Sequence, residues 1–568
     1  MNLLLNPKAY NQAWPDEKTA KLMEKTIAFF ETKGLKNLKE DDQALRWYDD
    51  FIRFLKDNQV FSTLLTPAGY GAPDSRYDLS RVCHFSELLG FYGNAHQYAF
   101  QVSILGLGPV WMGTSEKIKR KAAQLLQEGG IFAFGLSEKE HGADLYSNEM
   151  KLCPQQDGTY KADGSKYYIG NSNLAALVSV QGKQTDTDEY VFFAVSSQHH
   201  HYKLVKKIPT SGARNGFVGE FELVDYPITE EDILSRGKQA WDSALSTVNI
   251  GKFQLGFLNT GICTHSFYEA INHASNRIIY GKPVTALPHI KKFFVETYLR
   301  ITAMKLYALR SLDYFRSSSD NDRRYLLFNP IQKAKVTTEG VKVMEMLLDI
   351  MTAKGYEQDT YTEMAIRDIG MPARLEGTAH VNLSLVIKFL ENYFSNHVNY
   401  PTIPKRNDPA DDAYIFKQYS GGLAKVKFPD YRLAYEGVDL PNVVVLKSQA
   451  DMLKAFMEKA TPGPDQRKNI DYMLAIGEMF SIVVYAQLIL ENCKIYAIEP
   501  DLTDSIFGLL VQDFSHFALT QITKTGNTDE QEKQLWAMIM KPVVNAAREM
   551  KIWDEHVKIM NGAYQMNQ

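Results

Sequence analysis

An α+β fold is predicted for this 568-residue chain, helical at both ends with a small β-barrel or sheet between. Three observations carry it. Apolar residues recur at helical spacing up to about Glu128. From Gly129 to Asp232 they fall into short β-branched and aromatic runs parted by turn clusters. After Asp232 the helical spacing returns and holds to the end. No strand-like run leads into GxGxxG and a helix, so a dinucleotide site of the Rossmann type is not supported.

The first region, 1–128, reads as a helical domain. Leu22, Ile27, Phe29 and Phe30 lie among Lys and Glu, as an amphipathic helix requires, and Thr66-Pro67 and Gly69-Tyr70-Gly71 mark a loop. The second, 129–232, holds strand-like runs at 131–136, 159–162, 176–181, 190–195 and 217–224, with Asp157-Gly158 and Asp163-Gly164 as turns. The third, 233–399, reads as a helical bundle. Phe294, Tyr298, Ile301, Met304 and Ala308 are spaced 4, 3, 3 and 4, and similar stripes run through 241–276, 332–352 and 379–394. Prolines and Gly421-Gly422 give 400–447 the character of a linker, and 448–568 is a helical C-terminal extension.

Composition narrows the class. With 45% hydrophobic and 23% charged residues the chain is globular, neither disordered nor fibrous. Sixty-three Lys and Arg against 67 Asp and Glu give a net charge of −4, so a bulk basic surface for nucleic acid is absent. The segment 441–568 is itself acidic, with 16 acids against 12 bases. Cys83, Cys153, Cys263 and Cys493 lie far apart without a CxxC pair, signalling neither a zinc knuckle nor a disulfide framework. No charged-then-apolar leader opens the sequence, and the most apolar stretch, 481–490, falls short of the roughly 20 residues that span a bilayer. The expectation is a soluble, reduced, cytoplasmic protein with no membrane insertion.

Four segments carry chemistry. Residues 136–144, from Leu136 and Ser137 through Gly142 to Asp144, close the first strand. They read either as a strand-ending turn or as a loop whose hydroxyl and amides hold a flat polar ligand against the sheet. Gly164-Ser165-Lys166-Tyr167-Tyr168-Ile169-Gly170-Asn171 lies between strands, and Asn276-Arg277-Ile278-Ile279-Tyr280-Gly281 ends a helix, where Arg277 could equally be a dipole partner. Last come Tyr356, Arg367-Asp368 and Arg374-Leu375-Glu376-Gly377-Thr378, with Thr378 as N-cap of a helix from Ala379; by itself Glu376 reads as a carboxylate placed for the helix dipole. His199-His200-His201 follows a strand with no neighbouring Cys or acid and reads as loop polarity, so no metal is expected.

Taken together and in this order, the segments resemble the acyl-CoA dehydrogenase superfamily of flavoproteins. The resemblance runs from the N-terminal helices to about Tyr393, in the family's helix–sheet–helix order, and the run 374–382 with the extra tail looks like its long-chained branch. The resemblance implies FAD as cofactor, acyl-CoA as substrate, electron-transfer flavoprotein as electron acceptor and a homodimer. Leu136, Ser137 and Gly142 match the loop along the flavin, and Tyr168 the aromatic beside its ring. Arg277 matches the cation that meets the FAD pyrophosphate, often across a subunit boundary; Tyr280 matches an aromatic of the same site and Thr378 an adenosine contact. Glu376 matches the catalytic base. Lys252, where relatives often carry Arg, and Gly377 are the candidate substrate contacts. An acyl-CoA oxidase shares these features, and a nucleic-acid-associated flavoprotein of the same fold is disfavoured by the acidic tail.

The match has departures. Ala143 stands where Ser is usual, Gly170 where Thr or Ser usually meets the flavin, Pro288 where Gln follows the arginine motif, and Asp349, Thr352 and Ala353 replace Gln and a Gly pair. Gly251 occupies the position from which some relatives present the base, leaving Glu376 without a rival. For α-proton removal the carboxylate must be basic. At Glu376 burial is expected to outweigh the helix dipole, because buried carboxylates shift by several pH units and dipoles contribute about 1 kcal/mol.

Overall fold

The computed structural model describes residues 3–568. Six helices come first: α1 (Glu17–Gln43), α2 (Asp49–Asp57), α3 (Val60–Leu65), α4 (Leu79–Tyr92), α5 (Asn94–Met112) and α6 (Glu116–Gln127). Asp16, Asp78 and Ser115 cap α1, α4 and α6 by accepting amide hydrogen bonds through their side chains. The amphipathic stripe seen at 16–32 is the first part of a longer helix that breaks at Gly34, where φ is +73°. Residues 567 and 568 fill that break: Leu35 N donates to Asn567 O at 2.7 Å, and a Cβ on Gly34 would sit 2.6 Å from Gln568 O.

Eight strands follow: β1 (Phe132–Gly135), β2 (Lys151–Pro154), β3 (Tyr160–Gly170), β4 (Leu177–Gln184), β5 (Tyr190–Val195), β6 (Tyr202–Lys207), β7 (Val218–Ile228) and β8 (Ile233–Arg236). They hydrogen-bond in the order β6-β7-β3-β2-β4-β5-β8, with β1 pairing β4 beside β2. β6 and β8 are the free ends of this path, so of the two expected forms, barrel or sheet, the domain is an open mixed sheet. The edge strand β6 is defended by Lys203, Lys206 and Lys207, and β8 runs directly into the next helix. The five runs read from sequence all lie on strands. β2, β6 and β8 were not read, being short, charged or adjacent to a helix. Segment 164–171, expected between strands, is instead the second half of β3, bent by register shifts at Asp163-Gly164 and at Tyr167-Tyr168.

The third region is built on α7 (Gly237–Asn276), which packs against α4, α5 and α8 (Pro288–Arg316). A two-stranded hairpin, β9 (Ile278–Ile279) and β10 (Lys282–Pro283), links α7 to α8. Next are α9 (Tyr325–Ile331), a π-turn at Gln332–Val336, α10 (Thr337–Met351), α11 (Tyr361–Asp368), α12 (Ala379–Val386) and α13 (Leu390–Phe394). Residues 395–440 hold only short 3-10 turns, but they are no loose linker. Arg316 Nε donates to Asp412 Oδ2 at 3.0 Å, and that oxygen also accepts from Leu79 N at 2.8 Å, which pins the segment across the body.

The extension begins with α14 (Pro441–Lys459), a few residues before the expected 448, and continues through α15 (Pro464–Lys468), α16 (Ile470–Ile495), α17 (Pro500–Ile522), α18 (Asp529–Ala537) and α19 (Ala546–Ile552). The apolar stretch 481–490 is the middle of α16. This 26-residue helix is long and apolar enough to cross a membrane, but 89% of its apolar window is buried, among α8, α12, α14 and α17. It is the core helix of the extension, seated on the bundle.

Candidate functional site

A cavity of about 1710 Å³ opens where α5, the sheet, the bundle and residues 418–423 meet. Its sheet-side wall follows from how β1 and β2 share an edge. β1 pairs with β4 at 177–180 and β2 with the same strand at 183–184, so the chain between them, 136–150, must leave the sheet. This excursion carries Leu136, Ser137 and Gly142 to the cavity. A buried ion pair holds it: Lys166 Nζ donates to Glu138 Oε1 at 2.8 Å and to Leu136 O at 3.1 Å, while Glu138 accepts from the amides of Glu149 and Met150 at 2.8 and 3.1 Å. Burial pushes the Lys166 ammonium down to about 8 against the pull of Glu138. Ser137 binds the bulge of β3 twice, its Oγ donating to Tyr167 O at 2.8 Å and its carbonyl accepting from Tyr167 N at 2.9 Å. The bulge sets Tyr168 at φ +63°, with its ring 61% exposed on the cavity wall.

Glu376 lies on another wall, two residues ahead of the α12 N-cap, in the left-handed region at φ +55°, followed by Gly377 at +83°. Asn382 clamps this turn, its Nδ2 donating to the carbonyls of Gly377 and Thr378 at 3.0 Å each and its Oδ1 accepting from Lys252 Nζ at 3.2 Å. Thr378 holds the N-cap position, yet its hydroxyl meets the His380 ring instead of a helix amide. Gln101 Nε2 donates to Glu376 Oε1 at 2.7 Å. Glu376 Oε2 has no hydrogen-bond partner among the described residues and faces Gly251, where a Cβ would stand only 2.7 Å away. Glycine at 251 is therefore what gives the carboxylate its room.

Burial pushes the Glu376 carboxyl up to about 7, with Gln101, Lys333 and Lys252 opposing. Lys252 is driven down to about 8 and Lys333, in the π-turn, to about 7, again by burial, with Glu376 pulling the other way. Glu376 and Lys252 on the cavity lining, and the buried Lys333 whose field reaches Glu376, are thus all shifted toward neutral pH. The loop 208–213 closes another side. Asp368 Oδ1 accepts from Ala213 N at 2.7 Å and Arg367 Nη1 donates to Ser211 O at 2.9 Å, so the Arg367-Asp368 pair singled out in the sequence holds this loop in place.

Of the residues expected from sequence, Leu136, Ser137, Gly142, Tyr168, Gly170, Lys252, Glu376, Gly377 and Thr378 all line this cavity. Arg277 and Tyr280 do not. They sit at the β9–β10 hairpin, Arg277 Nη1 donating to Thr352 Oγ1 at 2.7 Å and Tyr280 94% exposed. Sequence reading missed Gln97, Gln101, Lys333 and the wall at 418–423. For the first two a signal existed: glutamines one helical turn apart in an otherwise apolar α5.

Comparison with known proteins gives the arrangement its relatives. The family described as "Acyl-CoA dehydrogenase, C-terminal domain" matches residues 239–391. The short-chain specific acyl-CoA dehydrogenase of Megasphaera elsdenii is 23% identical over 280 residues, 48% of this chain and 72% of that one. The human mitochondrial short-chain specific enzyme is 21% identical, over 49% and 67%. Among solved structures, a Bacillus anthracis acyl-CoA dehydrogenase complexed with FAD superposes with a TM-score of 0.78 at 16% identity, covering 98% of this chain and 97% of that one. Butyryl-CoA dehydrogenase of Megasphaera elsdenii superposes with 0.61 at 20% identity, over 66% and 98%. Residues 239–391 thus match the acyl-CoA dehydrogenase C-terminal domain, and the chain as a whole has the acyl-CoA dehydrogenase fold. Within the matched segment at 239–391 fall Gly251, Lys252, Arg277, Tyr280, Glu376, Gly377 and Thr378. The Bacillus anthracis structure shares the fold of the whole chain, extension included, whereas the butyryl-CoA dehydrogenase matches about two-thirds of it.

Proposed function

We propose that this protein is an FAD-dependent acyl-CoA dehydrogenase that converts an acyl thioester to its 2-enoyl thioester. One observation carries the reading. Glu376, whose carboxyl is raised to about 7 and keeps one buried oxygen without a hydrogen-bond partner, lines a cavity far larger than the roughly 300–1,000 Å³ that one drug-sized ligand needs. Such a cavity has room for a flavin beside an acyl group.

The residues present fit a flavin. Tyr168 offers an exposed ring beside the 136–143 excursion, and the Ser137 hydroxyl, its proton given to Tyr167 O, keeps its lone pairs for a ligand donor. Gly170 contributes no side chain, and a Cβ there would lie 2.7 Å from the Tyr98 hydroxyl. Bound at this wall, FAD supplies the two-electron acceptor for the β-hydride that no side chain offers. The protein's own part is the proton. Glu376 Oε2 takes the α-proton as general base, Gln101 fixes Oε1, and Gly251 leaves the free oxygen its space. Lys252 and Asn382 hold the left-handed turn that aims the carboxylate.

The acceptor proposed for the electrons is an electron-transfer flavoprotein, and the assembly a homodimer in which Arg277 and Tyr280 complete the cofactor site of the second copy. The decisive experiment mixes the FAD-loaded protein anaerobically with acyl-CoAs of graded length. Bleaching of the flavin band with formation of the 2-enoyl product is expected. A protein that takes up no FAD, or whose flavin stays oxidised with every acyl-CoA, would overturn the reading, and stoichiometric peroxide in air would make the enzyme an oxidase. Sedimentation of an FAD-retaining monomer would remove Arg277 and Tyr280 from the site.

A further inference from the structure

The segment between bundle and extension crosses the cavity as a strap. Gln418, Tyr419, Ser420 and Leu423 line the same space as Glu376. Three anchors hold it. Asn249 Nδ2 donates to Gln418 Oε1 at 2.9 Å, Asp242 Oδ1 accepts from the amide and hydroxyl of Ser420 at 3.1 and 2.5 Å, and Arg323 donates to the carbonyls of Tyr419 and Gly421 at 2.5 and 2.8 Å. The Arg323 guanidinium also lies 3.7 Å over the Tyr419 ring. Two of these anchors are on α7. Asn249 lies only two residues before Gly251, the glycine against which Glu376 Oε2 packs, so the strap covers the α7 face that leads up to the base.

What the strap brings to that face is apolar. Tyr419 and Leu423 line the cavity together with Leu326 and Pro330 of α9, Leu385 of α12 and Phe389 just beyond it. Asn392 Nδ2 secures the far end of the strap by donating to Ala424 O at 2.9 Å. These six cavity-lining side chains suit an alkyl chain, and none of them carries a charge for the phosphates of CoA. We infer that residues 418–423 are a specificity-determining wall, which receives and limits the alkyl part of the acyl group. The inference rests on the dehydrogenase reading above. It gives the segment between bundle and extension a task in substrate choice that its composition does not announce.

The test uses the full-length, FAD-loaded protein and two opposite variants, Leu423→Ala to open the wall and Leu423→Trp to fill it. Each is read with kcat/KM across acyl-CoAs of graded length and with calorimetric Kd values for alkyl-CoA thioethers, which bind without reacting. Leu423→Trp is expected to weaken the longer chains selectively, by about fourfold for each methylene excluded. Leu423→Ala is expected to move the optimum to longer chains. Should one variant fail to fold, the other decides. An unchanged length profile in a folded variant overturns the inference while leaving the dehydrogenase reading intact. A parent protein inert toward every acyl-CoA overturns both.

Discussion

At Glu376 two fields oppose each other, the helix start two residues downstream favouring the anion and the cavity wall disfavouring it. Burial wins, as expected from the relative size of the two effects, and the carboxyl rises to about 7. The sign for activity follows. A base whose acid form is favoured is ionised only above its raised value, so kcat/KM should climb as pH rises toward 7 and level off above it, where an ordinary Glu would have levelled near 4.5. Stopped-flow flavin reduction under subsaturating acyl-CoA measures this limb. Glu376→Gln keeps the shape and the contact with Gln101 but removes the basicity. It should still bind FAD and acyl-CoA while reducing the flavin about 10²–10⁴-fold more slowly. A near-parental rate would make Glu376 only a residue ahead of a helix.

At the scale of elements, the loop that faces the flavin side exists because β1 and β2 occupy successive stretches of one β4 edge. Its order then depends on a pair that bridges loop and sheet. In Glu138→Ala the Lys166 ammonium is left buried with one carbonyl partner, and the amides of Glu149 and Met150 lose their acceptor. Breaking a buried pair on one side costs about 3–5 kcal/mol. The variant should lose roughly that much in urea unfolding and should release FAD more readily. Replacing both partners, Glu138→Leu with Lys166→Met, should recover much of the stability, because no uncompensated charge remains.

Across the whole molecule, the extension is tied to the bundle by a buried ionic cluster. Arg300 on α8 donates to Asp513 of α17 at 2.9 and 3.1 Å and to Glu339 of α10 at 2.7 Å; Lys342 reaches Asp513 at 3.1 Å and Lys335 reaches Glu339 at 2.8 Å. The cations hold Asp513 well below the usual carboxylate range. Asp513→Ala leaves Arg300, Lys335 and Lys342 with only Glu339 and Glu296 as carboxylate partners. A loss of about 3–5 kcal/mol is expected, with α17 becoming sensitive to limited proteolysis at temperatures where the parent resists. If the variant melts like the parent, the cluster does not hold the extension.

Periodicity and turn residues by themselves determined the helix–sheet–helix order and five of the eight strands of the large sheet. These are local signals, set by which side chains alternate over two residues or over 3.6. The Glu376-Gly377 pair was legible as a site only through the family resemblance, since by itself the glutamate reads as a carboxylate placed for the helix dipole. Only the tertiary structure decided what surrounds it. Gln101 lies 275 positions from Glu376, Ser420 of the strap lies 178 positions from its Asp242 anchor, and Asp513 lies 213 from Arg300. Nothing local encodes such partners, since hydrogen bonds and buried charges are chosen by what folding brings within about 3 Å. The open edge of the sheet was hidden for the same reason, because barrel closure depends on whether β6 and β8 meet. That is a matter of twist and of where α7 begins, which no single strand records.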